Sequence, residues 1–214
     1  MTSKLFSLPQ GFRFLPGYFG RAEQGALIDA VVAGLAIAPL YRPTMPRTGK
    51  PVSVKMSNFG PLGWVTDKQK GYRYEVANPV NGNAWPEMPQ TLLNLWGEIA
   101  DYPARPEACL INYYAPGNRL GLHIDWDEEA TDAAVVSVSL GDKARFRMGG
   151  PNRSDKSASM ILSSGDVVVL GGAARQCFHG VDRIYPGTST LLPADHFPEG
   201  GRINLTLRRV TRPA

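Results

Sequence analysis

The stretch RINLTLRR, residues 202–209, alternates polar and apolar side chains along its length. Ile203, Leu205 and Leu207 stand between polar residues, which is the period of a β-strand with two different faces. Two arginines and an amide on one face are costly to bury without partners. That face therefore meets either solvent, as in many half-buried strands, or a ligand whose carboxylate matches the forked guanidinium.

The chain from residue 108 onward consists of short strand-like runs, of which this strand is the last. Turn sequences such as APGN, LGDK, SSGD and YPGT separate them. Eight short strands at nearly regular spacing favour an all-β sandwich or barrel. The runs are ACLINYY, GLHID, AVVSVSL, ARFRMG, SASMIL, DVVVLGG, CFHGVD and RINLTLRRV.

The first hundred residues have a different pattern. Residues 21–40 and 88–102 repeat apolar residues at helical spacing, so we predict two amphipathic helices with Asp29 toward water. Between them, pieces such as PVSVKMS and YRYEV indicate hairpins or covering loops rather than core. The apolar helix positions are Leu27, Val31 and Leu35 in the first helix and Leu92, Leu95, Trp96 and Ile99 in the second.

These patterns predict an N-terminal extension, residues 1–105, that carries the helices and a covering segment. Residues 106–214 form the predicted β core, and we expect the two parts to make one structural unit. A chain of 214 residues is long enough to bury such a core.

Composition narrows the class of protein. Two cysteines, Cys109 and Cys177, make a disulfide framework improbable, and residues 1–20 lack the pattern of a signal peptide. We therefore expect a cytoplasmic protein with no membrane segment. The net charge of +4 lies in residues 1–100, where 10 Lys and Arg face 6 Asp and Glu, and this excess permits an anionic partner such as nucleic acid.

A possible metal site lies in the run GLHID. His123 and Asp125 are two residues apart, so a strand would turn both to one side, and His179 follows in CFHGV. Two imidazoles and one carboxylate form the facial ligand set of non-haem Fe(II) oxygenases. A surface His-x-Asp pair is the plain alternative. Cys177 is read as a small buried apolar residue rather than a fourth ligand, and His196 as an exposed loop residue.

Taken in order, NYYAPGNRLGLHIDWDE, VVSVSLG, GDVVVLGG, FHGV and RINLTLRR resemble the AlkB family, the Fe(II)- and 2-oxoglutarate-dependent dioxygenases that repair alkylated bases in nucleic acids. The bacterial DNA-repair branch is the most similar. The resemblance covers residues 108–210 and extends to FGPLGWVTDKQKGYRY, which is similar to the family's substrate-covering segment. It implies a mainly β fold, a double-stranded β-helix (jelly roll) with N-terminal helices and a hairpin-rich nucleotide-recognition lid.

The resemblance also implies roles for individual residues. It makes His123, Asp125 and His179 the ligands of Fe(II). Arg202 is expected to hold the distal carboxylate of 2-oxoglutarate. The other residues implied to bind 2-oxoglutarate are Asn112, Tyr114, Asn204 and Arg208, the last near the metal-bound end of the co-substrate.

Four residues are implied to contact the substrate. Trp64 matches the aromatic residue that stacks on the damaged base, and Tyr72 matches a phosphate or substrate contact. Asp127 is expected beside the amino group of a base that methylation has made cationic, and Arg153 near the substrate nucleotide. Leu170 stands where the family can have an aromatic residue, which leaves the shape of the base pocket open.

The implied activity is oxidative demethylation of 1-methyladenine and 3-methylcytosine in single- or double-stranded DNA, with RNA as a further substrate, by a monomeric enzyme. The reaction requires Fe(II), consumes O₂ and 2-oxoglutarate, and releases formaldehyde, succinate and CO₂. Two alternatives stay open: the same chemistry on a protein or small molecule, and a non-enzymatic β-sandwich binding module. The acidic residues of IDWDEE are expected to make the mouth of the site less basic than a nucleic-acid binder requires.

Overall fold

The computed structural model describes residues 7–213. Residues 1–6, part of the stretch read for a signal peptide, and Ala214 lie outside the described residues. The helices are α1 (Arg21–Ile37), α2 (Gln90–Ile99) and a short 3₁₀ helix (Gly172–Gln176). The strands are β1 (Phe12–Leu15), β2 (Lys55–Phe59), β3 (Gly63–Asp67), β4 (Gly71–Glu75), β5 (Ala108–Tyr114), β6 (Leu120–His123), β7 (Val135–Gly141), β8 (Lys143–Met148), β9 (Ala158–Leu162), β10 (Val167–Leu170), β11 (His179–Tyr185) and β12 (Arg202–Arg208).

A six-stranded antiparallel sheet, with strand order β1-β10-β7-β12-β5-β2, forms the larger layer. The RINLTLR strand, β12, lies near its centre and is hydrogen bonded to β5 on one side and β7 on the other. The register sets Arg202 opposite Tyr114 and Asn204 opposite Asn112. Two stretches that the sequence placed far apart, INYY and RINLTLRR, are therefore neighbours.

A four-stranded sheet, β6-β11-β8-β9, faces the larger one. Strands β3 and β4 form a separate two-stranded hairpin, which we call the lid hairpin. The eight strands from β5 to β12 agree with the eight predicted runs, and the jelly-roll expectation is confirmed by the two facing antiparallel sheets and by the related structure described below.

The two faces of β12 belong to two different environments. Ile203, Leu205 and Leu207 are buried in an apolar cluster with residues of α1 and α2, so both helices cover the outer face of the larger sheet. A second apolar cluster fills part of the space between the sheets. The polar face of β12 is turned to that inner space, and all seven β12 residues are buried, so the solvent alternative for this face is wrong.

Both predicted helices are present. In α2, all four apolar positions from Leu92 to Ile99 are buried, and in α1 Asp29 is exposed as expected. Gly34 of α1 lies so close to the ring of Phe59 that a β-carbon there would meet it at 2.7 Å, so this glycine lets the helix approach the sheet. Neither helix, nor any other helix within residues 7–213, has the length and apolar character needed to cross a membrane.

One prediction for the N-terminal part is wrong. The run PVSVKMS was expected to form a hairpin or covering loop, but its last residues belong to β2, which pairs with β5 at the edge of the larger sheet. β1 likewise pairs with β10 at the opposite edge. Residues 41–83 thus supply both a core strand and the lid hairpin, and the period-2 pattern of five residues cannot tell the two apart.

Candidate active site

His123, Asp125 and His179 converge between the two sheets. Each offers one ligand atom, and these atoms lie within 4.8 Å of one another. The Nε2 atoms of the two histidines are 3.7 Å and 3.6 Å from the two oxygens of Asp125. A metal ion in the middle of this group would have two nitrogen ligands and one oxygen ligand on one side, with the opposite side open.

Both imidazoles are oriented for this role by the backbone. Nδ1 of His123 lies 2.9 Å from the carbonyl oxygen of Gly121, and Nδ1 of His179 lies 3.1 Å from that of Cys177. A neutral imidazole that donates from Nδ1 keeps the lone pair of Nε2 for a metal. Burial and the neighbouring His123 lower the pKa of His179 to about 4, so His179 is neutral at pH 7.

The chain reaches these positions differently from the expected single strand. β6 ends at His123, and Asp125 follows outside any strand, although it lies close to His179 at the start of β11. His179 and His123 face each other as partners in the β11–β6 register. The convergence therefore comes from strand pairing plus the loop that leaves β6.

Asp125 is buried and held in its charged form. Burial alone would raise the pKa of its carboxyl group, but Arg208, His179 and His123 together hold that pKa below its ordinary value. Nη2 of Arg208 is 2.8 Å from Oδ1 of Asp125. Oδ2 has no hydrogen-bond partner among residues 7–213, so one oxygen is braced and the other is free.

Arg202 is fully buried, with 0% of its surface exposed. Its Nη2 donates to the hydroxyl of Ser139 at 2.7 Å, but Nε and Nη1 have no partner in the described part of the chain. Burial lowers the pKa of Arg202 to about 10, which still leaves it charged at neutral pH. A buried guanidinium with two unpartnered nitrogens is costly without an anion, and a carboxylate is the anion that can accept two parallel N–H bonds from one edge of a guanidinium.

The polar groups around Arg202 extend along β12 and β5. The amide of Asn204 donates to Ser137 and to the carbonyl of Val138, while the hydroxyl of Thr206 donates to Oδ1 of Asn204. Asn112 donates to Thr206 at 3.3 Å, and burial raises the pKa of Tyr114 to about 12. Oδ1 of Asn112 is unpaired within residues 7–213.

The triad and the polar side chains of β5 and β12 described above line one cavity of about 880 Å³ between the sheets. A cavity of this size accommodates a small ligand together with part of a larger one. Its wall includes the metal-type triad and the polar face of β12, and the remainder is largely apolar. The candidate residues on the wall are Trp64, Tyr72, Asn112, Tyr114, His123, Asp125, Asp127, Arg153, Leu170, His179, Arg202, Asn204 and Arg208.

The lid hairpin brings two of the expected substrate residues, Trp64 and Tyr72, to the cavity, where they lie close to a third, Asp127. The rings of Trp64 and Tyr72 are stacked with centroids 5.6 Å apart, and Tyr72 is 53% exposed. Nε1 of Trp64 donates to Oδ2 of Asp127 at 2.7 Å. Burial raises the pKa of Asp127, and the hydrogen bond from Trp64 opposes that rise. A flat aromatic surface and a carboxylate thus meet at the entrance.

Arg153 reaches the cavity from the loop after β8. Its Nη1 donates to the carbonyl of Leu122 at 3.0 Å, and its guanidinium lies over the ring of Phe178. Leu170 is buried in the cavity wall at the end of β10. Both residues therefore contribute to the shape of the cavity.

Comparisons with known proteins bear on this geometry. A family model described as the 2OG-Fe(II) oxygenase superfamily matches residues 11–208. The alpha-ketoglutarate-dependent dioxygenase AlkB homolog of Caulobacter vibrioides is 48% identical over 211 residues, which cover 98% of this chain and 92% of that protein. The chain belongs to the AlkB family.

Two further relatives of this AlkB-family chain are a solved structure and a named demethylase. The solved structure of OsALKBH1 matches with a TM-score of 0.80 and 30% identity, covering 95% of this chain and 99% of that one. The tRNA demethylase abh1 of Schizosaccharomyces pombe is 30% identical over 171 residues, which cover 75% of this chain and 57% of that protein. The chain is an Fe(II)- and 2-oxoglutarate-dependent dioxygenase, and the non-enzymatic alternative is excluded.

The structure of this AlkB-family enzyme fits its cofactors. The triad offers ligands suited to Fe(II): two histidine nitrogens and Oδ2 of Asp125, which has no hydrogen-bond partner within residues 7–213. The two free N–H groups of Arg202 suit a carboxylate of 2-oxoglutarate. Cys177 is not among the residues of the triad: its Sγ lies 3.2 Å from the carbonyl oxygen of Ala173. His196 lies in a loop beside Asp195.

Sequence reasoning missed a buried ionic cluster beneath the triad. Glu128 is 4% exposed, and its two oxygens bind Nη1 of Arg208 at 2.6 Å and Nη2 of Arg175 at 2.7 Å. The expectation that the IDWDEE acids reduce the positive charge of the mouth is therefore wrong for Asp125 and Glu128, because both are buried and paired with arginine. Tyr74 of the lid hairpin completes the cluster by donating to Glu128.

Arg175 anchors the cluster to the main chain. Its Nη1 donates to the backbone carbonyl of Asp125 at 2.6 Å and its Nε to that of Ala133 at 3.2 Å. Nothing in the sequence around the 3₁₀ helix distinguishes this arginine from a surface residue. The other two residues, Glu128 and Tyr74, could have been suspected from the sequence. Glu128 is an acid three residues after the candidate ligand Asp125 and can turn inward. Tyr74 is two residues after Tyr72 and therefore shares its strand face.

Proposed function

We propose that this enzyme removes methyl groups from 1-methyladenine and 3-methylcytosine in DNA, with RNA as a further substrate. The proposal is supported by the family, by a relative named as a tRNA demethylase, and by the aromatic and acidic mouth of the cavity. The observation that carries it is the Trp64–Asp127 pair, which lines the same cavity as the triad and combines a stacking surface with a carboxylate.

In the proposed site, His123, Asp125 and His179 hold Fe(II). The bound iron, with O₂ and 2-oxoglutarate, supplies the oxidising power that hydroxylates the N-methyl group, so that formaldehyde, succinate and CO₂ are released. The protein contributes the fixed orientation of three ligands and a cavity walled by apolar residues. Neutral His179 and charged Asp125 are already in the protonation states that metal binding requires.

Arg202 holds the distal carboxylate of 2-oxoglutarate in this proposal. Ser139 accepts from Nη2 of the guanidinium, while Nε and Nη1 have no partner among residues 7–213 and keep N–H groups for the ligand. Asn112, Tyr114 and Asn204 form the polar wall along which the co-substrate lies between Arg202 and the metal. Arg208 lies at the metal end, where it braces Asp125.

The methylated base binds at the mouth. Methylation at a ring nitrogen makes adenine or cytosine cationic, and a carboxylate at Asp127 attracts that cation. Stacking on an aromatic ring stabilises an extruded base by about 1–3 kcal/mol. Trp64 supplies that ring, Tyr72 contacts the nucleotide from the exposed end of the lid hairpin, and Arg153 contacts it from the loop after β8.

Three further expectations complete the proposal. Residues 1–105 and 106–214 work as one unit, since the lid hairpin of the first part covers a cavity whose ligands lie in the second. The enzyme acts as a monomer and in the cytoplasm. Size-exclusion chromatography of the enzyme with metal and 2-oxoglutarate tests the monomer prediction, and elution at the volume of a dimer would contradict it.

The test uses the Trp64→Ala variant and an oligonucleotide with one 3-methylcytosine. We expect formaldehyde release to fall by about 10- to 100-fold, since the stacking energy is lost. Succinate release without oligonucleotide should stay near that of the unsubstituted enzyme, because the triad and Arg202 are untouched. An oligonucleotide without the methyl group is the matched substrate control.

The rival activity, oxidation of a protein or small molecule, gives the opposite result. In that case the unsubstituted enzyme would release succinate but no formaldehyde with any methylated oligonucleotide, and Trp64→Ala would change nothing measured with DNA or RNA. Comparing DNA and RNA oligonucleotides of one sequence then decides which nucleic acid is preferred.

A further inference from the structure

The inner face of the lid hairpin connects the cavity mouth with the buried ionic cluster. Tyr72 and Tyr74 are two residues apart on β4, so they share one strand face, and Trp64 is the register partner of Tyr74 on β3. Tyr72 is exposed at one end of this face and stacked on Trp64. Tyr74 occupies the other end, where its hydroxyl meets Glu128.

From Tyr74 the contacts run without interruption to the triad. The Tyr74 hydroxyl donates to Oε1 of Glu128, and the same oxygen accepts from Nη1 of Arg208 at 2.6 Å. Nη1 of Arg208 also lies 3.3 Å from the Tyr74 hydroxyl, and Nη2 of Arg208 lies 2.8 Å from Oδ1 of Asp125. The lid is therefore three contacts from a candidate metal ligand through Glu128, and two through the longer Tyr74–Arg208 contact.

The cluster has little freedom to absorb a displacement. Glu128, Arg208, Arg175 and Asp125 are each less than 9% exposed. Arg175 fixes the other oxygen of Glu128 and the backbone carbonyl of Asp125 at the same time. Ion pairs in a buried setting are weakly screened, so moving one member changes the energy of the others.

We propose that Tyr74 and Glu128 are positioning residues that couple the lid hairpin to Asp125 through Arg208. A nucleotide that holds the lid hairpin down also fixes Tyr74, and through Glu128 and Arg208 it fixes the carboxylate of Asp125. Metal binding and nucleotide binding then strengthen each other, and by thermodynamic linkage the two effects are equal in size. This inference rests on the proposed function, because it requires a nucleotide at the lid.

The experiment measures the affinity for Mn(II), a redox-inactive probe of the triad, with 2-oxoglutarate present. The dissociation constant is determined without and with an oligonucleotide that carries 3-methylcytosine. We expect the oligonucleotide to tighten Mn(II) binding by about fivefold or more in the unsubstituted enzyme. In Tyr74→Phe, which removes only the hydroxyl, the ratio of the two constants should fall to about 1.

Two further variants separate this coupling from general damage. Tyr41→Phe removes a hydroxyl that donates to the carbonyl of Trp64 on the same hairpin at 2.9 Å, without reaching Glu128, and it should keep the unsubstituted ratio. Glu128→Gln keeps the shape of the side chain but removes the charge, and it should weaken Mn(II) binding by about 10- to 100-fold as well as abolish the coupling.

The outcomes are distinct. If Tyr74→Phe retains the unsubstituted ratio, if Tyr41→Phe loses it equally, or if the unsubstituted enzyme shows no coupling, the inference is wrong. Formaldehyde release from the same oligonucleotide is measured in parallel on the unsubstituted enzyme. Absent release defeats the proposed function itself, whereas release without coupling defeats only the positioning role of Tyr74 and Glu128.

Discussion

The two ends of β12 carry the same side chain in opposite circumstances. Arg202 and Arg208 are six residues apart on one face of one strand, and both are buried. Arg208 contacts the carboxylates of Asp125 and Glu128 within 2.8 Å. Arg202 contacts the hydroxyl of Ser139, and no carboxylate within residues 7–213 forms a salt bridge with it.

This difference distinguishes an arginine that is paired with carboxylates of the fold from an arginine that has no such partner. A buried arginine with two anionic partners is neutralised within the fold, so its removal leaves those anions unpaired. A buried arginine without an anion costs stability until a ligand supplies the charge. The Arg208 end therefore neutralises Asp125 and Glu128 within the fold. The Arg202 end, which we propose holds the co-substrate, is expected to reduce the stability of the ligand-free protein.

The largest expected effect is that of Arg208→Met on the stability of the metal-free protein. Asp125 and Glu128 would remain buried without their shared partner, and we expect the free energy of unfolding to fall by about 3–5 kcal/mol. Urea unfolding followed by circular dichroism measures this change. Mn(II) affinity should fall as well, because Oδ1 of Asp125 loses its brace.

A surface ion pair provides the control for Arg208. Arg145 pairs with Asp182 at 2.7 Å, but both side chains are partly exposed. Arg145→Met should cost about 1 kcal/mol or less. Equal losses in the two variants would show that burial does not distinguish the two pairs.

Arg202→Met should have the opposite effect on stability. Because the ligand-free protein loses an unneutralised buried charge, we expect its free energy of unfolding to stay the same or to rise by up to about 3 kcal/mol. The affinity for 2-oxoglutarate should fall by about 100-fold or more, since two charge-assisted hydrogen bonds are lost. Thermal unfolding with Mn(II), with and without 2-oxoglutarate, measures both effects.

In this design the co-substrate should raise the melting temperature of the unsubstituted enzyme but not that of Arg202→Met. A destabilised Arg202→Met protein that still responds to 2-oxoglutarate would reverse the assignment of the two ends. Met is unbranched and apolar, so it replaces much of the aliphatic stem of Arg while it removes the guanidinium.

How far the sequence predicts this site depends on the range of the interactions. The alternation of RINLTLRR predicts a two-faced strand, and the buried amphipathic face of α2 follows from its 3.6-residue period. The segment of β2 carries no such signal, because only its pairing with β5 makes it part of the core. Period and composition act locally, whereas strand pairing is decided by the whole chain.

The same limit explains the site. The family resemblance predicts the triad and Arg202, and the structure brings these residues to one cavity. The alternation alone left the polar face of β12 open to solvent, and it gave no reason to treat its two arginines differently. That difference depends on Glu128, whose burial follows from the path of the loop after β6 rather than from any local pattern.

The comparison of the two ends also predicts where pH acts on the metal-free protein. The pKa of His179, beside Asp125, is about 4 in the folded state because of burial and the nearby His123, against 6.5 ordinarily. Between these values the unfolded chain binds a proton that the folded protein does not. The free energy of unfolding should therefore fall as the pH falls from about 6.5 to 4, by about 3 kcal/mol at most.

Two histidine variants test whether His179 causes this pH dependence of the free energy of unfolding. The pKa of Asp125 is lowered in the folded state, so this residue adds its own loss of stability only as the pH falls through its ordinary value of 3.8, below the window considered. His179→Gln should remove most of the slope in urea unfolding between pH 7 and pH 4.5, whereas His196→Gln, in a surface loop, should leave it unchanged. If the free energy of unfolding of His179→Gln still falls with pH, the acid sensitivity arises away from the candidate metal ligands. The Arg208 end of β12 would then not be its pH-sensitive end.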